Sequence, residues 1–218
     1  MAFTFDRTPL PPTFRILTVC TGNICRSPFA EQYIRRGLDT AGVGNVVVES
    51  AGTMARDGQE MPDQAAELSR RYGADPSTHQ ARYLVEGFVS RADLVFAMGR
   101  DHRRAIVSMH PRASRTTFTL REFARLAEGM EEGDFRDIAA LPLAQTAERF
   151  RALVAAVAAR RGLVEPARQP EDDDIVDPYR LDDSVFDESG RQLVPAADIV
   201  VDMLRHAATT TAGTGTHP

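Results

Sequence analysis

The hydrophobic pattern of the chain alternates between short, solid apolar runs and longer stretches with helical spacing. Arg15–Val19, containing Ile16, Leu17 and Val19, is the first such run, and Val46–Val48 and Asp93–Met98 are the next two. Runs this short, and this rich in β-branched or aromatic residues, predict buried strands. Thr116–Leu120 predicts a short fourth. Between them, apolar residues return every three or four positions. Pro28–Thr40 carries Phe29, Ala30, Tyr33, Ile34 and Leu38 before Gly42 and Gly44; Gly73 stops Pro62–Tyr72; His110–Pro111 ends Asp101–Met109. Each pattern predicts a helix. Strands alternating with helices imply right-handed βαβ units, hence an α/β fold: a short parallel sheet of about four strands with helices on both faces. Ligands of such sheets bind at the carboxyl ends of the strands.

The later part of the chain reads as helical. Glu122–Gly129 and the alanine-rich Gln145–Arg161 predict two helices. Gly162–Asp174 then reads as a linker, its acidic run Glu171–Asp174 a solvated loop rather than a metal site. Asp182–Phe186 and Ala196–His206 predict two separate helical pieces, the second with an apolar face of Ile199, Val200, Met203 and Leu204. Met1–Thr13, with Pro9, Pro11 and Pro12, predicts a loose arm, and Ala207–Pro218 a disordered tail. One domain over residues 14–206 is the expected organisation.

Composition narrows the class. Hydrophobic residues make up 43% and charged residues 26%, ordinary for a globular protein. A net charge of −5 argues against a nucleic-acid binder, and no apolar run approaches membrane-spanning length. The first residues lack the apolar core of a signal peptide. Cys20 and Cys25, the two cysteines, lie in one short stretch and make no disulfide framework, which points to a reducing, cytoplasmic setting. The five histidines are scattered without metal-ligand spacing, so neither a metal nor another cofactor is expected.

The chemistry gathers between the first strand and the first helix. Cys20 closes the strand, and Arg26 follows after five residues, just before Ser27–Pro28. Ser27 reads as the helix cap and Pro28 as its first residue. A loop from strand end to helix start turns several N–H groups toward one point, where the helix dipole adds positive charge. That is a cradle for a tetrahedral oxyanion, and Arg26 adds a planar donor fork. The same field would lower the pKa of the Cys20 thiol and make it a nucleophile. Gly22 and Asn23 suit the tight backbone of such a loop. Alone, a strand-ending cysteine is commonly a small buried hydrophobe, and an arginine six residues later is commonly accidental.

Cys20-Thr-Gly-Asn-Ile-Cys-Arg-Ser-Pro28, followed by Ala30–Glu31, resembles the active-site loop of the low-molecular-weight protein tyrosine phosphatases. The resemblance covers residues 15–112 and 174–204. It implies a flavodoxin-like strand order with the anion-binding loop after strand 1, and an enzyme that acts on phosphotyrosine-containing proteins. Cys20, Arg26 and Asp177 would be catalytic. Thr21, Gly22, Asn23, Ile24, Cys25 and Ser27 would bind phosphate. Ser50, in Ser50–Ala51–Gly52–Thr53, together with His79 and Arg82 in Thr78–Arg82, would brace the cradle. Asp177–Pro178–Tyr179 resembles the late loop that carries the family's general acid, whereas Asp75–Pro76 is read only as a turn.

Three departures qualify the likeness. Residues 120–170 are longer than this region usually is, and are read as a helical insertion used for docking, self-association or packing. The wall loop Met54–Gln59 has no aromatic residue, and Arg56 is placed there instead. Arg180 follows Tyr179 where a second tyrosine is frequent.

The implied reaction has two steps, with phosphorylated Cys20 between them. Three rivals stay open. An arsenate reductase on this loop would need an external small thiol, because no cysteine follows Cys25. A phosphoarginine phosphatase would favour threonine at the position of Ile24. A phosphate-binding module without turnover is opposed by the joint presence of Cys20, Arg26 and Asp177.

Overall fold

The computed structural model describes residues 13–212. Its sheet has four parallel strands in the order β2-β1-β3-β4, with β1 at Phe14–Cys20, β2 at Val46–Gly52, β3 at Leu94–Ala97 and β4 at Thr117–Thr119. This is the flavodoxin-like order, with β1 inside the sheet. Register follows from alternation. Phe14, Ile16 and Cys20 of β1 and Leu94 and Phe96 of β3 belong to one core, and Leu17, Val19, Val95 and Ala97 to the other. A one-residue slip would exchange the two faces.

The larger core lies against α1 (Arg26–Thr40), α2 (Asp63–Arg71), α5 (Leu120–Ala127), α7 (Thr146–Ala159) and α8 (Asp183–Thr209). On the opposite face, Val89 of α3 (Glu86–Arg91) and Ile106 of α4 (Arg100–Met109) cover the smaller core. The single-turn α6 (Arg136–Ala139) completes the set. No helix among the described residues is long and apolar enough to cross a membrane.

Three sequence expectations need correction. The two helical pieces after Asp182 are one helix, α8, running through Gly190 and Pro195. Pro195 forfeits one backbone bond, at a cost of about 3 kcal/mol. Its buried stripe of Phe186, Leu193, Ala197, Val200 and Leu204 outweighs that, at roughly 1.5–3 kcal/mol per large side chain. Gly190 has its own reason: a Cβ there would stand 3.1 Å from the Tyr72 ring, where α8 crosses α2. Secondly, α8 extends through Thr209, so the expected tail is helical at its start; its end, with the arm over residues 1–12, lies outside the described residues. Thirdly, α3 was not expected, its six residues being too short for a periodic signal.

Residues 120–170 pack as part of the main core. A reciprocal Thr119–Glu122 capping box starts α5, which buries Phe123 against Phe96 and Phe118. On α7, Phe150 meets Phe14 edge-on at 5.3 Å. The Arg149 guanidinium is buried and donates to the carbonyls of Leu141, Ala207 and Thr210, tying α7 to the end of α8.

Candidate active site

β1 delivers Cys20 to the carboxyl edge of the sheet, buried at the floor of a cleft of about 300 Å³. The chain turns through Thr21–Cys25 and enters α1 at Arg26, earlier than expected. Ser27 is therefore not the helix cap. Cys25 holds that position, and no side chain among the described residues caps the first turn, which leaves its N–H groups able to meet a ligand. The Ser27 hydroxyl instead sits 3.0 Å from Cys20 Sγ, which also accepts the Asn23 N–H at 3.3 Å. Two groups able to donate thus converge on the sulfur, an arrangement that suits a sulfur carrying negative charge.

Asn23 holds the loop in shape. Its φ of 54° is left-handed, which asparagine tolerates better than most residues. Its side-chain amide donates to Ser27 Oγ (2.9 Å) and Ser50 Oγ (2.8 Å), and its oxygen accepts the Arg82 N–H (2.8 Å). The expected brace is therefore assembled around one side chain. His79 Nε2 meets the Asn23 carbonyl at 2.7 Å, and burial pushes its ring below the usual value. Arg82 also donates to the Ser50 carbonyl, and Ser50 donates to Glu31 at 2.6 Å. Gly52 lets this second loop approach: a Cβ there would fall 2.5 Å from the Thr21 carbonyl oxygen.

Arg26 and Asp177 meet across the cleft. Arg26 is buried; Nη1 donates to the Ile175 carbonyl at 3.0 Å and Nη2 pairs with Asp177 Oδ2 at 2.6 Å. Its Nε is buried without a partner among the described residues, so one edge of the fork is only half engaged. Asp177 is half exposed, and its other oxygen accepts the Tyr179 N–H at 3.2 Å, an Asx turn that aims the carboxylate. Asp75 makes the same kind of turn with Ser77 but away from the cleft.

Thr21, Gly22, Ile24 and Cys25 line the cleft with Cys20 and Arg26. One wall consists of Met54, Arg56 and Gln59, so Arg56 stands where expected; Tyr179 and Arg180 form the other. Cys25 is buried beside Cys20. Burial first, then the charges of Cys20 and Asp177, pushes its thiol up to about 12.

Sequence reading missed two groups. His102 of α4 reaches the Thr21 hydroxyl at 2.9 Å, and its Nδ1 is buried without a partner among the described residues. Burial, and secondly the charge of Arg26, pushes its ring down to about 4, so it is neutral near pH 7. The other is the pairing of the acidic run: Glu171 and Asp172 are exposed as expected, but Asp173 and Asp174 are only partly so and are held by arginines. Glu171 and Asp174 pair with Arg100 and Asp173 with Arg125, just ahead of the Asp177 loop. Nothing in the local sequence marks His102 or Arg100; the α/β order alone, which brings the end of β3 beside the end of β1, could have pointed to them.

Known proteins are similar to this chain in sequence and fold. The family model described as low molecular weight phosphotyrosine protein phosphatase matches residues 15–168. The chain belongs to that family. It is 38% identical over 122 residues to the probable low molecular weight protein-tyrosine-phosphatase EpsP of Ralstonia solanacearum, covering 56% of this chain and 76% of the relative. A protein-arginine-phosphatase of Bacillus subtilis (strain 168) is 36% identical over 115 residues, covering 52% and 75%. The crystal structure of a low molecular weight protein tyrosine phosphatase from T. tengcongensis superposes with a TM-score of 0.61 at 28% identity, over 87% of this chain and 99% of that one. Asp177 lies past the end of the family match, so its place in the site rests on its geometry.

Proposed function

We propose that this chain hydrolyses phosphotyrosine on protein substrates through a phosphocysteine intermediate. One observation carries the reading: Cys20, Arg26 and Asp177, from the end of β1, the start of α1 and the loop before α8, line a single cleft. Cys20 Sγ attacks phosphorus in line, and an S–P bond forms as the P–O bond to tyrosine breaks. Arg26 and the N–H groups of the loop and of the first turn of α1 hold the equatorial oxygens. Asp177 gives its proton to the departing phenolate, a group with a pKa of about 10 that leaves slowly unaided. Water then attacks phosphorus, its proton passes to Asp177, and the S–P bond breaks to release phosphate. Positive charge comes from Arg26 and the helix start, so no step calls on a metal or another cofactor.

The arginine phosphatases among the relatives favour a second reading, phosphoarginine hydrolysis. Ile24 argues for tyrosine, since an apolar side chain at the cleft suits a flat aromatic ring. Free thiols at both cysteines suit the reducing, cytoplasmic setting expected above. Docking or self-association through residues 120–170 would use only their outer side, where Leu143 and Leu163 are exposed.

Turnover of phosphotyrosine peptide, phosphoarginine and arsenate, assayed side by side with parent and Cys20→Ser, tests the reading. Phosphotyrosine should be used best. Cys20→Ser should lose turnover and still bind vanadate, because only the nucleophile is gone. Retained turnover would place the nucleophile elsewhere.

A further inference from the structure

The structure assigns Arg100, acting through Asp174, as a positioning residue for the acid at Asp177, an inference that rests on the acid role proposed above. Asp177 stands three residues after Asp174, and the intervening backbone is fastened from several sides. Asp174 Oδ1 accepts the backbone N–H of Arg100 at 2.7 Å. The Arg100 side chain grips the same carboxylate, with Nε 3.1 Å and Nη2 3.0 Å from Oδ2. Arg121 of α5 donates to the Asp174 carbonyl at 2.9 Å. Next, the Ile175 N–H donates to the Met98 carbonyl at 3.0 Å, and the Ile175 side chain is buried. The Val176 N–H donates to Gln192 Oε1 of α8 at 2.8 Å.

Asp177 itself has no comparable anchor. Its carboxylate is half exposed, and its side-chain contacts are its own Asx turn and Arg26. Arg26 is also the residue that must grip the phosphate. When the phosphate is seated, the Arg26 fork is shared between substrate and Asp177, and its hold on the acid weakens. The clamp on Asp174 is independent of the substrate. It keeps the loop fixed during the step in which Arg26 is occupied, and it ties the acid to the β3–α4 junction. The Arg100 fork suits this task because it is planar and two-pronged, which a lysine ammonium is not.

A shift of about 1 Å in a reacting group can cost about a hundredfold. The prediction is selective, because only a leaving group that needs a proton notices a misplaced acid. The test is kcat/KM, which reports phosphoryl transfer to Cys20, across aryl phosphates from acidic phenols to phenol itself. Parent, Arg100→Met, Arg100→Lys, Asp177→Asn and the Arg100→Met/Asp177→Asn double variant are compared.

Arg100→Met should lose about 10- to 100-fold on phenyl phosphate and within about twofold on the most acidic phenol. Arg100→Lys should show the same selectivity in smaller measure, and it carries the test if the methionine variant fails to fold. The double variant should be no slower than Asp177→Asn. Equal losses across leaving groups, or losses that multiply in the double variant, would overturn the proposal and leave Arg100 structural. An Asp177→Asn variant with the parent's leaving-group dependence would overturn the acid assignment, and the proposal with it. That outcome is separate from a normal Asp177→Asn response beside an unselective Arg100→Met.

Discussion

Replacing Asn23 by alanine should do more damage than any other single change in the cradle outside the reacting groups. The side chain is fully buried and makes three hydrogen bonds, to Ser27, Ser50 and the Arg82 N–H. At about 1 kcal/mol each these amount to about 3 kcal/mol. Ser50 keeps its bond to Glu31, which limits the loss there. The backbone adds a separate cost. At φ 54° alanine is strained by about 1 kcal/mol relative to a residue that accepts the left-handed region. The expected destabilisation is about 3–4 kcal/mol, measured by urea unfolding of parent and variant. Asn23→Gly removes the same hydrogen bonds without the strain and should be about 1 kcal/mol more stable than Asn23→Ala. Activity should fall in both, because the lost side-chain bonds hold the loop in the shape that aims the residue's backbone N–H, which both variants keep, at Cys20 Sγ. An Asn23→Ala variant within 1 kcal/mol of the parent, on the same hydrogen-bond scale, would refute the reasoning. Equal stability of the two variants would remove the backbone part alone.

Three further outcomes are expected. The folded-state value of His102 is depressed to about 4, so its contribution to stability is fully present above about pH 6.5 and is lost as pH falls toward 4. Urea unfolding at stepped pH should show a loss on the order of 3 kcal/mol across that window, and His102→Gln should flatten it; an unchanged slope would point to other groups. Mild peroxide should inactivate the enzyme reversibly by oxidising Cys20, with phosphate protecting it, and mass spectrometry should find a Cys20–Cys25 disulfide. Because burial, more than any neighbouring charge, pushes the Cys25 thiol up, disulfide capture should be slow near pH 7 and quicken with pH, and Cys25→Ala should lose recovery on adding reductant; full recovery would make Cys25 a packing residue. Finally, Arg56 on the cleft wall should favour phosphopeptides with acidic neighbours, so that Arg56→Ala lowers kcat/KM for acidic peptides more than for neutral ones; equal effects would remove Arg56 from substrate choice.

How much of this was legible in the sequence followed the range of the interactions. The cradle was readable because Cys20 to Pro28 is one contiguous stretch whose residue types each answer a local demand. The sheet was readable because solid apolar runs have few other uses. Ser27 was misjudged because helix caps are read from local preference, while its hydroxyl is drawn to Cys20 and Asn23. Asp182–Phe186 and Ala196–His206 read as pieces, while burial along α8 carries one helix through Gly190 and Pro195 between them. His102 and Arg100 were invisible for a simpler reason: their partners Thr21 and Asp174 lie 81 and 74 residues away, and only the folded sheet brings them together. The pairing of Asp173 and Asp174 was invisible because their arginine partners sit on α4 and α5, well before them in the chain.

The central claim is that phosphate passes through Cys20. Acid quenching of Asp177→Asn during turnover of an aryl phosphate with an acidic phenol tests it most directly, since loss of the base slows hydrolysis of the intermediate while such a phenol still leaves. Mass spectrometry of the digested protein should then find one phosphoryl group on the peptide containing Cys20, absent from Cys20→Ser. A phosphoryl group on another residue, or sustained turnover with Cys20 unmodified in every quenched sample and in the Cys20→Ser variant, would contradict the account.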